Sequence, residues 1–268
     1  MATTHGTGTS TGTGIRRDDG EDADALLRRL PGVQRFDLEL VDATSLTPRM
    51  RRLRWSGAGL EHLRAEPGQD LMVEVPENGR SHFRRRYTIR HHHAPSATVD
   101  LDVLVHGDGP GARWASSVRP GARVEAIGPR GKVFLARDAD WHLFCSDESG
   151  VPAALRMIEG LPPEAVALAL LEVPDATEEQ PVDARCDARI EWLHGLEPAT
   201  RARLPEEIAR LELPPGRGHA YVAGELHQVA AVREALVQRG LPAADIDHKP
   251  YWRAGVSNAS HGEPLRTA

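Results

Sequence analysis

Arg85-Arg86-Tyr87-Thr88-Ile89-Arg90, followed by the alternating run Val99 to Val105 and then by His106-Gly107-Asp108-Gly109-Pro110-Gly111-Ala112-Arg113-Trp114-Ala115, is the stretch on which the fold of this chain turns. Side chains alternate along a strand, so Arg85 and Tyr87 share one face and Thr88 takes the other. Five arginines fall between Arg80 and Arg90, although the chain as a whole carries a net charge of -6. The glycine-rich stretch lies between a strand and a short helix expected over Gly111 to Val118. Its glycines permit close backbone approach, and a helix start offers unpaired N–H groups to an anion.

Moving outward, apolar residues alternate in Phe36, Leu38, Leu40, in Leu71, Val73, Val75, and in Val99, Leu101, Val103, Val105. Period-two alternation predicts antiparallel strands with one wet face. Turn signals at Pro67-Gly68, Asn78-Gly79 and Pro120-Gly121 separate them, as in a small barrel. After about residue 138 the apolar runs become continuous: Trp141 to Cys145, Ala165 to Val173, Ala220 to Ala223. Strands buried on both faces of a parallel α/β sheet read this way. Helices are expected over Val151 to Glu159, with Pro152 in its first turn, and around Val229, Val232 and Leu236, ended by Gly240 and Pro242. The expected organisation is a Thr/Gly-rich and acidic disordered tail over 1–33, an antiparallel barrel over 34–137, an α/β domain over 138–255 and a C-terminal tail over 256–268.

Composition narrows the function. Two cysteines, Cys145 and Cys186, exclude a disulfide framework or a four-thiolate metal site within the chain, and a reducing, cytoplasmic setting fits best. No run approaches a membrane span, and the N-terminus has no apolar signal segment. The negative net charge argues against nucleic acid, while the arginine cluster argues for a small anionic ligand. An aromatic ring, a hydroxyl and a guanidinium on one strand, followed by a glycine-rich helix start, supply what a flavin dinucleotide needs: a ring cover, a donor to ring nitrogens and a phosphate cradle.

Other pieces are weighed singly. Cys145-Ser146-Asp147-Glu148-Ser149-Gly150 and Tyr221-Val222-Ala223-Gly224-Glu225 each follow a parallel strand, where ligands bind in such sheets. Lys249-Pro250-Tyr251-Trp252-Arg253 either docks the C-terminal tail or covers a flat ring and draws in an anion. Cys145 reads as a buried core thiol. His91-His92-His93 reads as an exposed loop, because adjacent side chains diverge and do not make one metal site. An esterase reading would need a serine elbow, and Gly255-Val256-Ser257-Asn258-Ala259 lacks its last glycine.

Together these pieces resemble the siderophore-interacting protein family, FAD-dependent ferric-siderophore reductases of the ferredoxin-reductase-like group, over about Gln34 to Gly255. The resemblance also takes in Thr47-Pro48-Arg49-Met50-Arg51-Arg52 and Tyr251-Trp252-Arg253-Ala254-Gly255. It implies a six-stranded antiparallel FAD-binding barrel followed by a parallel-sheet domain for NADH or NADPH. Arg85, Tyr87 and Thr88 would hold the flavin, with Tyr87 against the isoalloxazine and Thr88 at its reactive edge, the catalytic pair. His106, Gly109, Pro110, Gly111, Ala112 and Trp114 would hold the rest of FAD. Asp147, Glu148, Ser149, Gly224 and Glu225 would line the nicotinamide dinucleotide site, with no metal ligands in the protein itself. Arg90, Lys249 and Arg253 are expected to attract an anionic ferric siderophore, whose reduction releases Fe(II) for iron assimilation. Two departures stand out: Ser146 where the family usually has glycine, and Ala112 where many relatives carry serine. A general NAD(P)H:flavin or quinone reductase and a non-enzymatic siderophore-binding protein are the alternatives. The choice of siderophore, of NADH, NADPH or ferredoxin as donor, and of oligomeric state stays open.

Overall fold

The computed structural model describes residues 32–76, 82–107, 109–195 and 203–256. The expected tail before residue 32, the Asn78-Gly79 turn, Asp108 and the candidate nucleophile Ser257 lie outside the described residues.

Six strands, β1 (Gln34–Ser45), β2 (Met50–Ser56), β3 (Asp70–Pro76), β4 (His82–His93), β5 (Thr98–Leu104) and β6 (Arg123–Arg130), close into an antiparallel barrel of order β1-β2-β5-β4-β3-β6. Alternation sets the inside. Phe36, Leu38 and Leu40 of β1, Leu71, Val73 and Val75 of β3, and Val99, Leu101 and Val103 of β5 pack in one core with Trp55 of β2. Burying such side chains stabilises by about 1.5–3 kcal/mol each.

The other face of β5 is not wet, as alternation alone predicts. Asp100 and Asp102 are 0% and 3% exposed. Arg54 and Arg52 of the paired strand β2 each donate a bidentate fork to one of them, at 2.7–2.8 Å and 2.7 Å. Buried carboxylates are tolerated where forked guanidinium partners satisfy them. Hydropathy records only that these positions are polar, not that their charges meet.

The second unit is a five-stranded sheet of order β11-β10-β7-β8-β9. Its strands are β7 (Trp141–Ser146), β8 (Val166–Val173), β9 (Asp187–His194), β10 (Gly218–Glu225) and β11 (Ile246–Trp252), paired in parallel throughout. Helix α1 (Pro110–Ser117) belongs to the barrel, and begins one residue earlier than expected because Pro110 suits a first helical position. Helix α2 (Val151–Glu159) covers one face of the sheet, packing on Phe144, Ala169 and Tyr221. Helices α3 (Arg203–Arg210) and α4 (Leu226–Gln238) cover the other, packing on Leu143, Cys145 and Val222. Both faces of β7 are therefore buried, which is why its sequence is continuously apolar.

Sequence reading assigned no segment to β2, β6, β9, β11 or α3. Strand β9 is an edge strand whose residues alternate between exposed and half-buried, so it lacks the apolar run of its neighbours. The segment containing Lys249 to Trp252 is not a docked tail: it is β11, paired with β10. His91, His92 and His93 end β4 and are half-buried, not an exposed loop.

Candidate functional site

Strand order reverses at β7: the chain goes from β7 to β8 and β9 on one side, then returns to β10 on the other. In open parallel sheets the crevice outside the strand ends at such a switch point is where ligands bind. The loops after β7 and β10 border it, and the barrel supplies its opposite wall.

On the barrel wall, alternation along β4 sorts the arginines. Arg84 pairs with Glu74 at 3.3 Å, Arg86 forks onto Asp70 at 2.7–2.9 Å, and Arg90 pairs with Glu159. Arg85 and Tyr87 lie on the other face and reach the start of α1. A Cβ added to Gly111 would stand 3.4 Å from Arg85 Nε and 3.6 Å from the Tyr87 hydroxyl oxygen. No side chain caps α1 at Gly109, so its first-turn amides keep donor capacity beside Arg85 and Tyr87. A guanidinium, a phenol and a glycine-lined helix start in one place fit the pyrophosphate and ring of a flavin dinucleotide.

Tyr87 stacks on Trp114 with ring centroids 6.2 Å apart, and Trp114 stacks on Trp55 at 6.1 Å. Trp114, placed by sequence among the cofactor-binding residues, is 8% exposed, and its ring stands between those of Tyr87 and Trp55. Burial raises the Tyr87 hydroxyl well above its ordinary value against the pull of Arg85, which keeps it a neutral donor. Thr88, on the opposite face, is buried and hydrogen-bonds with Tyr251 of β11.

The sheet wall is different. Asp147 is 4% exposed, and all its acceptor positions face inward. Its Oδ1 accepts from the Ser149 amide at 2.9 Å and the Ser149 hydroxyl at 2.5 Å. Its Oδ2 accepts from the Glu225 amide and from Trp252 Nε1, both at 2.8 Å. Asp147 thus ties together the ends of β7, β10 and β11. Gly224, at φ 138°, passes so close that a Cβ there would lie 2.7 Å from Asp147 Oδ2. Glu225 caps α4 by accepting from the amides of His227 and Gln228, and also accepts from Ala254. The oxygens of Asp147 and Glu225 are thus taken up by their own chain, and they fix the loops that border the crevice.

Glu148 bridges the walls. One of its oxygens accepts from Arg49 Nη2 at 2.7 Å, and the other is buried with no partner among the described residues. Burial pushes the carboxyl up to about 7; Arg49 pulls it back, and Asp147 and Glu178 add to the rise. His106 faces Trp252 with ring centroids 5.8 Å apart, and burial, helped by Arg49, lowers its basicity. Ser146 is 1% exposed, and its Cβ stands 2.5 Å from where a Cβ on Gly150 would be. Gly150 therefore leaves the room in which the Ser146 side chain fits.

The three expected substrate cations separate. Arg90 has a guanidinium 4% exposed, paired with Glu159 of α2 and lying 3.6 Å from Asp102. It clamps the barrel to the sheet and cannot meet an external anion, which corrects the sequence-based expectation. Lys249 Nζ lies 3.1 Å from Asp70 and 5.7 Å from the Tyr251 ring centre, again across the two units. Arg253 is exposed. Arg49, Asp70 and Tyr251 are site residues given no individual role by sequence reading. Arg49 and Tyr251 stood within quoted segments, but their partners come from the other unit, so no local spacing could disclose them.

The model of the siderophore-interacting FAD-binding domain matches residues 63–133, and that of the siderophore-interacting protein matches residues 139–255. Ferric vibriobactin reductase ViuB of Vibrio cholerae is 34% identical over 183 residues, 67% of this chain and 68% of that protein. The NADPH-dependent ferric-chelate reductase of Escherichia coli is 29% identical over 157 residues, 58% of this chain and 60% of that protein. The crystal structure of a siderophore utilization protein from T. fusca superposes with a TM-score of 0.76 at 35% identity, covering 86% of this chain and 97% of that one. With the barrel wall matched by the FAD-binding model and the switch-point sheet by the other, the chain belongs to the siderophore-interacting protein family.

Proposed function

We propose that this chain is an FAD-dependent, NAD(P)H-driven ferric-siderophore reductase that frees Fe(II) for iron assimilation. The observation that carries the reading is the meeting of Arg85, Tyr87 and the Gly111 helix start on the barrel wall, facing a switch-point crevice. When bound, FAD supplies the conversion of a two-electron hydride donor into single electrons for Fe(III).

The protein's own part is positioning and charge. Arg85 and the first-turn amides of α1 hold the anionic end of the cofactor, with Gly109 and Pro110 fixing the helix start. Tyr87, held flat by Trp114, covers the ring, and Thr88, held by Tyr251, fixes its reactive edge. Asp147 and Glu225 keep the Ser149 and Gly224 loops in place for the nicotinamide dinucleotide. His106 and Trp252 close the mouth between the walls. Arg253 is a basic group open to an anionic ferric chelate, and gain of one electron, which turns Fe(III) into Fe(II), weakens the iron's hold on hard oxygen donors.

A reducing, cytoplasmic location suits the reading: Cys145 is buried with its thiol pushed up to about 12, and both cysteines are free. No helix among the described residues is long and apolar enough to cross a membrane.

Anaerobic mixing tests the proposal. Protein loaded with FAD should lose flavin absorbance with NADH or NADPH and regain it on adding a ferric siderophore, with Fe(II) appearing in a trapping chelator. Reoxidation by free quinone or flavin but not by ferric siderophores would favour a general reductase. Siderophore binding without any bleaching would leave a carrier.

A further inference from the structure

We propose that His91, His93 and Asp100 form a binding site for one divalent transition-metal ion of the class that prefers imidazole. Strand alternation makes the pair: His91 and His93 share a face of β4, while His92 turns away and its Nε2 lies 2.6 Å from the Leu60 carbonyl. Asp100 stands opposite on β5, in register with His91 just past a bulge in the β4–β5 ladder. One donor atom from each of the three residues lies within 4.8 Å of the others. His91 Nδ1 and His93 Nε2 are 3.4 Å and 3.2 Å from Asp100 Oδ2. Two donors that each sit about 2.1 Å from one metal are separated by roughly 3.0–3.5 Å. Two of the three spacings already have that value, and a modest turn of the half-exposed His93 ring brings in the third.

Arg54 forks onto Asp100 and fixes its plane, as an outer partner does for a ligating carboxylate. Of the neighbouring guanidiniums, Arg52 is matched by Asp102 and Arg90 by Glu159, while Arg54 is matched by Asp100 itself and Arg90 Nη1 lies 3.0 Å from His91 Nε2. His91 Nε2 also lies 3.7 Å from Glu159. Two imidazoles and one carboxylate favour ions such as Zn(II), Co(II), Ni(II) and Fe(II) over Mg(II) or Ca(II), which require more oxygen donors. Three protein ligands leave coordination positions for water, so the site exchanges its ion with solvent. It lies apart from Arg85, Tyr87 and Gly111, and the inference does not depend on the flavin reading.

The test uses full-length, tag-free, chelator-treated protein titrated with Co(II), read by its visible ligand-field absorption, and with Zn(II) by calorimetry. We expect saturation at one equivalent. His93→Ala and His91→Ala should each weaken binding by on the order of tenfold or more, with FAD content unchanged. His62→Ala, at an exposed histidine outside the group, should bind as the wild type does. Absence of saturable Co(II) binding in the wild type would overturn the proposal. So would equal affinity in the wild type and a His91→Ala/His93→Ala double variant.

Discussion

On the barrel wall, Arg85 and Tyr87 converge on a helix start that no side chain caps. On the sheet wall, Asp147 and Glu225 are filled by hydrogen bonds from their own chain, four to Asp147 and three to Glu225. Both sets are motif residues, Arg85 and Tyr87 within β4 and Asp147 and Glu225 at the ends of β7 and β10, yet one is turned toward an uncapped helix start and the other toward the scaffold. A polar motif residue thus has two ways of serving a site, by touching the ligand or by fixing the loop that does. The two are separable by experiment: loss of the first kind weakens binding and spares the fold, and loss of the second weakens the fold.

The largest effect is expected at Asp147. Asp147→Ala strands a buried hydroxyl, two amides and an indole N–H, and should cost about 3–5 kcal/mol in chemical unfolding. An unchanged midpoint would place Asp147 with the ligand-facing residues and break the comparison. Next is Arg85→Ala, which should weaken FAD binding by about 1.5–3 kcal/mol, roughly ten- to a hundredfold, while the apoprotein melts within a few degrees of wild type. A large drop in apoprotein stability with normal FAD affinity would reverse its assignment.

Glu148 sharpens the comparison by pH. Because burial raises its carboxyl to about 7, the folded chain holds that proton more tightly than the unfolded chain does. Its ionisation therefore works against folding as pH rises from the ordinary carboxylate range through about 7. Glu148→Gln should exceed wild type in stability by about 1–2 kcal/mol near pH 8, with the difference closing toward about pH 4. A stability difference that instead widens on acidification would contradict the assigned environment. The smallest effect is expected at Gly111→Ala. Alanine favours a helix by about 1 kcal/mol over glycine, so the apoprotein should melt slightly higher. FAD should nevertheless bind more weakly, because the new Cβ enters the space between Arg85 and the helix start.

Much of this was legible in the chain. Alternation in β1, β3 and β5 and continuous apolar runs in β7, β8 and β10 gave the barrel and the parallel sheet, because burial on one or two faces leaves a periodic trace. Arg85, Tyr87 and Gly111 were legible as a group because alternation and helix-start chemistry are local. What stayed hidden was the partnering of charges across units. Nothing near Arg90 in sequence announces Glu159, and nothing near Lys249 announces Asp70. Two of three cations expected at the substrate were thereby revealed as clamps between barrel and sheet. The Asp100 site was hidden for the same reason: His91 and His93 meet their carboxylate only through strand pairing.

The most direct measurement is a titration of the apoprotein with FAD, followed by quenching of flavin fluorescence. The account predicts saturable binding at one FAD per chain, which is lost or markedly weakened in Arg85→Ala and kept in Arg90→Lys. Fluorescence that never saturates, or the same affinity in Arg85→Ala as in wild type, would contradict the claim that the barrel wall holds the flavin.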